Sequence, residues 1–313
     1  MSFQFADLAK NVAADGAVSA DELLALRQLG WGDGTIHRHE AEAIFAINHA
    51  ISDPSDAWVD FFVEALGEFV LNGSAPRGYV DDAEADWLIA ALDQDGKLET
   101  MAELELLARV MERAGNVPAH LKDYAVDQLE KAVLTGKGPT RGGGELSDTH
   151  VTSVECQLLR RFIFAAGGDG PGTASKHEAE VLFRIKDATL GHDNAPEWER
   201  VFTDGVANYL QGFGFSDAQL SHSRRKELEE FIADDTVNMG RFFGRMAKAA
   251  PQVHNHFGKV FGKKAGGASF AEREVDGSNI TDSEQSWLDA QINADGEVDE
   301  LEKALIERLA KGI

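Results

Sequence analysis

Carboxylates recur at fixed distances after Asp-Gly pairs. Asp15-Gly16-Ala17-Val18 leads to Glu22, Asp33-Gly34-Thr35-Ile36 to Glu40, and Asp295-Gly296-Glu297-Val298 to Glu302. The pattern is Asp, Gly, any residue, an apolar residue, and Glu at the seventh place after the Asp. Looser versions are Asp95-Gly96-Lys97-Leu98, with Glu99 and Glu103 but Ala102 at the seventh place, and Asp169-Gly170, where a Pro-Gly insertion precedes Glu178. Glycine admits the positive φ of a sharp reversal, so each Glu is expected in the first turn of the following helix. The same arrangement forms the second half of an EF-hand calcium loop, with Gly at position 6, an apolar residue at 8 and Glu at 12. The entry halves are poorer in oxygen: position 1 is Asn11, Leu29, Ala91 or Gln291, and position 3 is Ala13, Trp31, Asp93 or Asn293. The candidates for a hard divalent cation, Ca²⁺ first, are Asp15, Glu22, Asp33, Glu40, Asp95 and Glu99. To these the richest turn adds Asn293, Asp295, Asp299 and Glu302.

The same residues admit a second chemistry. Ser19-x-x-Glu22, Thr152-x-x-Glu155, Ser175-x-x-Glu178 and Thr281-x-x-Glu284 match the capping box, in which the Glu carboxylate accepts from the N-cap amide and binds no metal. Metal ligation and helix capping both remain open for these turns.

The elements that must position them read as helices throughout, with apolar residues at 3.6-residue spacing and no period-2 alternation. Helices are expected near 4–13, 20–29, 38–51, 55–71, 82–92, 99–114 and 118–134. After the glycine-rich stretch they are expected near 151–166, 174–190, 195–211, 217–234, 236–250, 281–292 and 299–311. The order repeats. Asp82, Glu84, Trp87, Leu88, Ala90, Asp95 and Gly96 recur at an offset of 200 as Asp282, Glu284, Trp287, Leu288, Ala290, Asp295 and Gly296. His39-Glu40-Ala41-Glu42 with Phe45, Ile47 and Ala50 recurs as His177-Glu178-Ala179-Glu180 with Phe183, Ile185 and Ala188. Trp58 and Trp198 each open a further helix. The expectation is all-α: two copies of one helical bundle, built from helix pairs joined by Asp-Gly turns. Copy one covers 1–135, a Gly-rich linker 136–147, and copy two 148–313 with an insertion at about 214–276.

Composition narrows the function. With 54 acidic against 30 basic residues the formal charge is −24, which repels nucleic acid and favours cations or basic partners. The single cysteine, Cys156, excludes an intrachain disulfide and reads as a buried thiol. Residues 1–16 contain Asp7 and Asp15 and no apolar run, so a cytoplasmic protein is expected. Residues 236–264 reverse the overall charge. Arg241, Arg245, Lys248, Lys259, Lys263 and Lys264 stand there without an acidic neighbour, a pattern suited to a partner, to peripheral contact with an anionic membrane, or to this protein's own acidic surface. No nucleophile has a recognisable base beside it, so no enzyme is expected.

The Asp-Gly-x-apolar-x-x-x-Glu turn between short amphipathic helices resembles the tellurite-resistance TerB domain and the TerB-like domain of certain membrane-anchored J-proteins. Residues 80–113 and 280–309 carry the likeness best. The resemblance implies an all-helical bundle with an acidic, metal-binding surface, acting in stress-response or envelope-associated assemblies. Asp15, Glu22, Asp33, Glu40, Asp295 and Glu302 match the family's acidic turn residues, while Ala102 and the insertion after Gly170 depart from them. Two functions follow as expectations: a non-enzymatic TerB-like protein binding Ca²⁺ at its turns, or a metal-independent helical scaffold for a basic partner, latched by 236–264.

Overall fold

The structure, a computed structural model, describes residues 16–30, 34–51, 53–93, 98, 100–141, 149–165, 173–210, 280, 282–292 and 298–311. Among them are eleven α-helices, one 3₁₀ turn at Pro139–Arg141 and no strand. In chain order they are α1 (Ala20–Gly30), α2 (Arg38–Ala50), α3 (Asp56–Asn72), α4 (Asp82–Leu92), α5 (Met101–Arg113) and α6 (Ala119–Thr135). The second half contributes α7 (Ser153–Ile163), α8 (Lys176–Thr189), α9 (Trp198–Leu210), α10 (Asp282–Ile292) and α11 (Glu300–Lys311). The helices expected near 4–13, 217–234 and 236–250, and the insertion that holds the last two, lie outside the described residues.

Local chemistry sets the helix ends. Ser55 caps α3 by accepting from the Trp58 amide at 3.3 Å, and Gly136 closes α6 in the left-handed region at φ 62°. Gly16 (φ 72°) and Gly34 (φ 89°) hold the positive φ expected of their turns. Apolar stripes then drive the packing. In α2 the stripe is Ala41, Ile44, Phe45 and Ile47; in α8 it is Ala179, Leu182, Phe183 and Ile185, all of them buried.

The aromatic residues meet in two sets of like geometry. Phe45 lies edge-on to Phe62 at 5.4 Å and Phe183 edge-on to Phe202 at 5.2 Å. Trp87 stands against Phe45 at 5.9 Å and Phe69 at 4.8 Å, and Trp287 against Phe183 at 5.7 Å and Tyr209 at 5.0 Å. Edge-to-face pairs of this kind contribute about 0.5–1.5 kcal/mol each beyond area burial. Trp58 and Trp198 are fully buried, whereas Trp87 and Trp287 are only partly so.

The packing of the helices follows the same two-part order. α3 packs on α1, α2 and α5, and α9 packs on α7, α8 and α11. Between them α6 touches α4 and α5 on one side and α7 and α8 on the other. The buried side chains of both halves therefore join in one hydrophobic cluster, through α6 and the α5–α7 contact.

Candidate site at the acidic helix N-termini

The proposed ligands divide by position. Asp15, Asp33, Asp95, Glu99, Asn293 and Asp295 lie outside the described residues, as do Arg241, Arg245, Lys248, Lys259, Lys263 and Lys264. Glu22, Glu40, Asp299 and Glu302 are described, and each of these Glu residues is the third residue of a helix whose N-cap amide it accepts from. The Ser19 amide donates to Glu22 Oε2 at 2.9 Å, the His37 amide to Glu40 Oε2 at 2.9 Å, and the Asp299 amide to Glu302 Oε2 at 3.0 Å. The same interaction joins Thr152 to Glu155 and Ser175 to Glu178, both expected, and Asp81 to Glu84 and Thr100 to Glu103, which the sequence reading passed over.

At the start of α11 a buried ammonium group meets the carboxylates. Lys186 of α8, 1% exposed, donates from Nζ to Asp299 Oδ2 and to Glu302 Oε1, each at 2.6 Å. Asp299 Oδ1 accepts from the Glu302 amide at 2.9 Å, so every carboxylate oxygen of the pair is engaged inside the protein. Asp187 stands 2.8 Å from the same Nζ. Burial pulls the Lys186 pKa down, and the hydrogen bonds to Asp187, Asp299 and Glu302 more than reverse this, leaving it above that of free lysine.

The corresponding position in the first half is neutral. The 138-residue offset that relates His39 to His177 also relates Asn48 to Lys186. Asn48 of α2 donates from Nδ2 to Glu103 Oε1 at 3.1 Å and to Thr100 Oγ1 at 3.3 Å, at the N-terminus of α5. His49 Nε2 is 3.6 Å from the same Glu103 oxygen. The other end of the amide is fixed by Trp58, whose indole N–H donates to Asn48 Oδ1 at 3.1 Å. A lysine offers no acceptor, and the buried Trp198 Nε1 has no hydrogen-bond partner among the described residues.

Two further capping carboxylates are also buried against cations. Glu178 Oε1 lies 3.1 Å from Lys122 Nζ of α6, with both side chains nearly inaccessible. Glu155 accepts from Arg141 Nη2 at 2.9 Å and from Thr140 Oγ1 at 2.8 Å. Sequence reading missed all these partners. A usable signal was present: Asn48 and Lys186 occupy aligned places on apolar helix stripes, where a polar residue must find an internal partner.

Among the described residues no group of three or more His, Cys, Asp or Glu side chains is placed to hold a metal ion. No helix among them is long and apolar enough to cross a membrane. Cys156 is buried, and burial followed by the charges of Glu197 and Glu155 pushes its thiol pKa up to about 12. Comparison with protein-family models, curated proteins and solved structures gives no match.

Proposed function

We propose that this chain is a non-enzymatic, metal-independent helical scaffold that presents an acidic surface to a basic protein partner. The observation that carries the reading is the position of Lys186 Nζ, 2.6 Å from both Asp299 and Glu302. A calcium ion at that pair would have to displace a buried, hydrogen-bonded ammonium and leave it uncompensated, which costs several kcal/mol. The first-turn Glu carboxylates serve as caps, each contributing on the order of 1 kcal/mol, and Glu155, Glu178 and Glu302 also receive cations from neighbouring elements. The excess of 54 acidic over 30 basic residues makes basic protein surfaces the natural partners and nucleic acid an unsuitable one. Residues 236–264 supply the cationic counterpart, either as a latch on this surface or as contact with an anionic membrane.

The test is calorimetric titration of CaCl₂ into chelator-treated full-length protein, with thermal melts in CaCl₂ and in NaCl of matched ionic strength. The scaffold reading expects no binding heat and equal melts, since sodium and calcium then act only by screening. A calcium-specific gain, roughly 2.7 kcal/mol at ~100 times the dissociation constant, would overturn it. The second reading, TerB-like calcium binding at the turns, would then hold. Its support is the positive φ of Gly16 and Gly34, and Asp295→Ala with Glu302→Gln would locate the site.

A further inference from the structure

The two halves offer nearly the same seat to two nearly equivalent hairpins. α4–α5 docks through Trp87 on Phe45 and Phe69, and α10–α11 through Trp287 on Phe183 and Tyr209. Aromatic packing of such similar geometry does little to tell the hairpins apart. Their tethers differ greatly: residues 73–81 join α3 to α4, whereas residues 211–281 join α9 to α10. The C-terminal helix pair is thus joined to its seat by much the longer stretch of chain.

We propose that Asn48 and Lys186 are an address pair that assigns each hairpin to its own half of the molecule. Lys186 admits the Asp299-x-x-Glu302 cap because it supplies the positive charge that the buried Glu302 and the largely covered Asp299 require. Asn48 disfavours that cap, because its amide brings no charge to a pair of carboxylates and the nearby His49 imidazole faces a single one, and it accepts Thr100-x-x-Glu103, in which only one group is a carboxylate. Discrimination comes from the cost of the wrong pairing as much as from the strength of the right one. The same exchange explains why the indole N–H of Trp198 has no partner among the described residues. The second half gives up the Trp-to-Asn hydrogen bond of Trp58 and Asn48 in return for the charge that fixes its hairpin.

Hydrogen exchange read by mass spectrometry on the full-length chain tests this, with residues 282–311 compared against 82–113. Lys186→Asn is expected to speed exchange across 282–311 on the order of a hundredfold while leaving 82–113 unchanged. Adding Asp299→Thr leaves an Asn–Thr–Glu set like that of the first half, with one carboxylate fewer beside Glu302, and is expected to restore most of the protection. Rescue is the discriminating result, since a lysine that merely fills space would not be compensated by a change in charge on the opposite helix. Unchanged exchange in Lys186→Asn overturns the proposal. So does failure of the double variant to recover, or loss of protection that spreads equally to 82–113.

Discussion

Replacing Lys122 by Met removes the cation from Glu178 and should be the most damaging single change at the junction of α6 with α8. Both side chains are almost fully enclosed, at 6% and 0% exposure, with Nζ and Oε1 3.1 Å apart. Burial raises the Glu178 pKa, and the opposing pull of Lys122 and Ser175 does not fully reverse it. Breaking a buried pair from one side costs about 3–5 kcal/mol, because the remaining charge is stranded. At ~1.5 °C per kcal/mol for a protein of this size, the melting temperature should fall by about 4–8 °C. The pH dependence has a defined sign. A carboxyl whose folded pKa is raised binds its proton more tightly in the fold, so stability falls as pH rises from the unfolded value near ~4.3 through the folded one. Lys122→Met should therefore recover stability toward pH ~4.5, relative to wild type. Lys122→Met with Glu178→Gln should lie close to wild type at neutral pH and lack that recovery. Thermal melts of the four proteins of this double-mutant cycle at pH 4.5 and 7.5 provide the measurement. A single variant within about 1 kcal/mol of wild type at pH 7.5 would refute the reasoning, as would a double variant no better than the single.

Three other outcomes are expected. Lys186 contributes stability that is complete below the free-lysine pKa of ~10.4 and is lost as pH rises through its higher folded value. Near-UV circular dichroism between pH 9 and 12 should accordingly show loss in wild type, and equal loss in Lys186→Arg would contradict this, because a guanidinium stays charged there. Cys156, with a pKa pushed to about 12, should resist a thiol reagent at pH 8 until urea unfolds the protein. Rapid stoichiometric labelling of the native chain would count against its burial. Thr152→Ala removes the oxygen that accepts from the Glu155 amide at 3.3 Å and should cost about 1 kcal/mol in urea denaturation, whereas no measurable cost would mean the cap is idle.

The helices were legible because their signals are local. α4, written Asp82–Leu92, begins after an Asp cap and ends just before the Asp95-Gly96 pair, and its limits can be read off the sequence. The same holds for α8, whose Ser175 and Glu178 announce its start. The role of the first-turn Glu residues was not legible, for a physical reason. Glu at the end of a calcium loop and Glu at the third place of a capped helix occupy the same turn and point toward the same N-terminus. What separates them is the group that approaches from elsewhere. For Glu302 that group is Lys186, 116 residues away in sequence, and for Glu103 it is Asn48, 55 residues away. Neither partner belongs to any motif containing the turn.

The buried cations also explain how so acidic a chain tolerates carboxylates in its interior. Glu155, Glu178 and Glu302 each begin a helix, where the N-terminal dipole already favours negative charge, and each is at most 1% exposed. That dipole alone does not compensate burial, as the raised pKa of Glu178 shows even with Lys122 beside it. Arg141, Lys122 and Lys186 therefore serve as internal counter-ions, and each joins elements distant in sequence. Glu22 has no need of such help because it remains partly exposed beside Ser19. Capping chemistry thus becomes tertiary structure at Glu103, Glu155, Glu178 and Glu302, and the choice of covering residue, amide at Asn48 or ammonium at Lys186, decides which helix can be seated there.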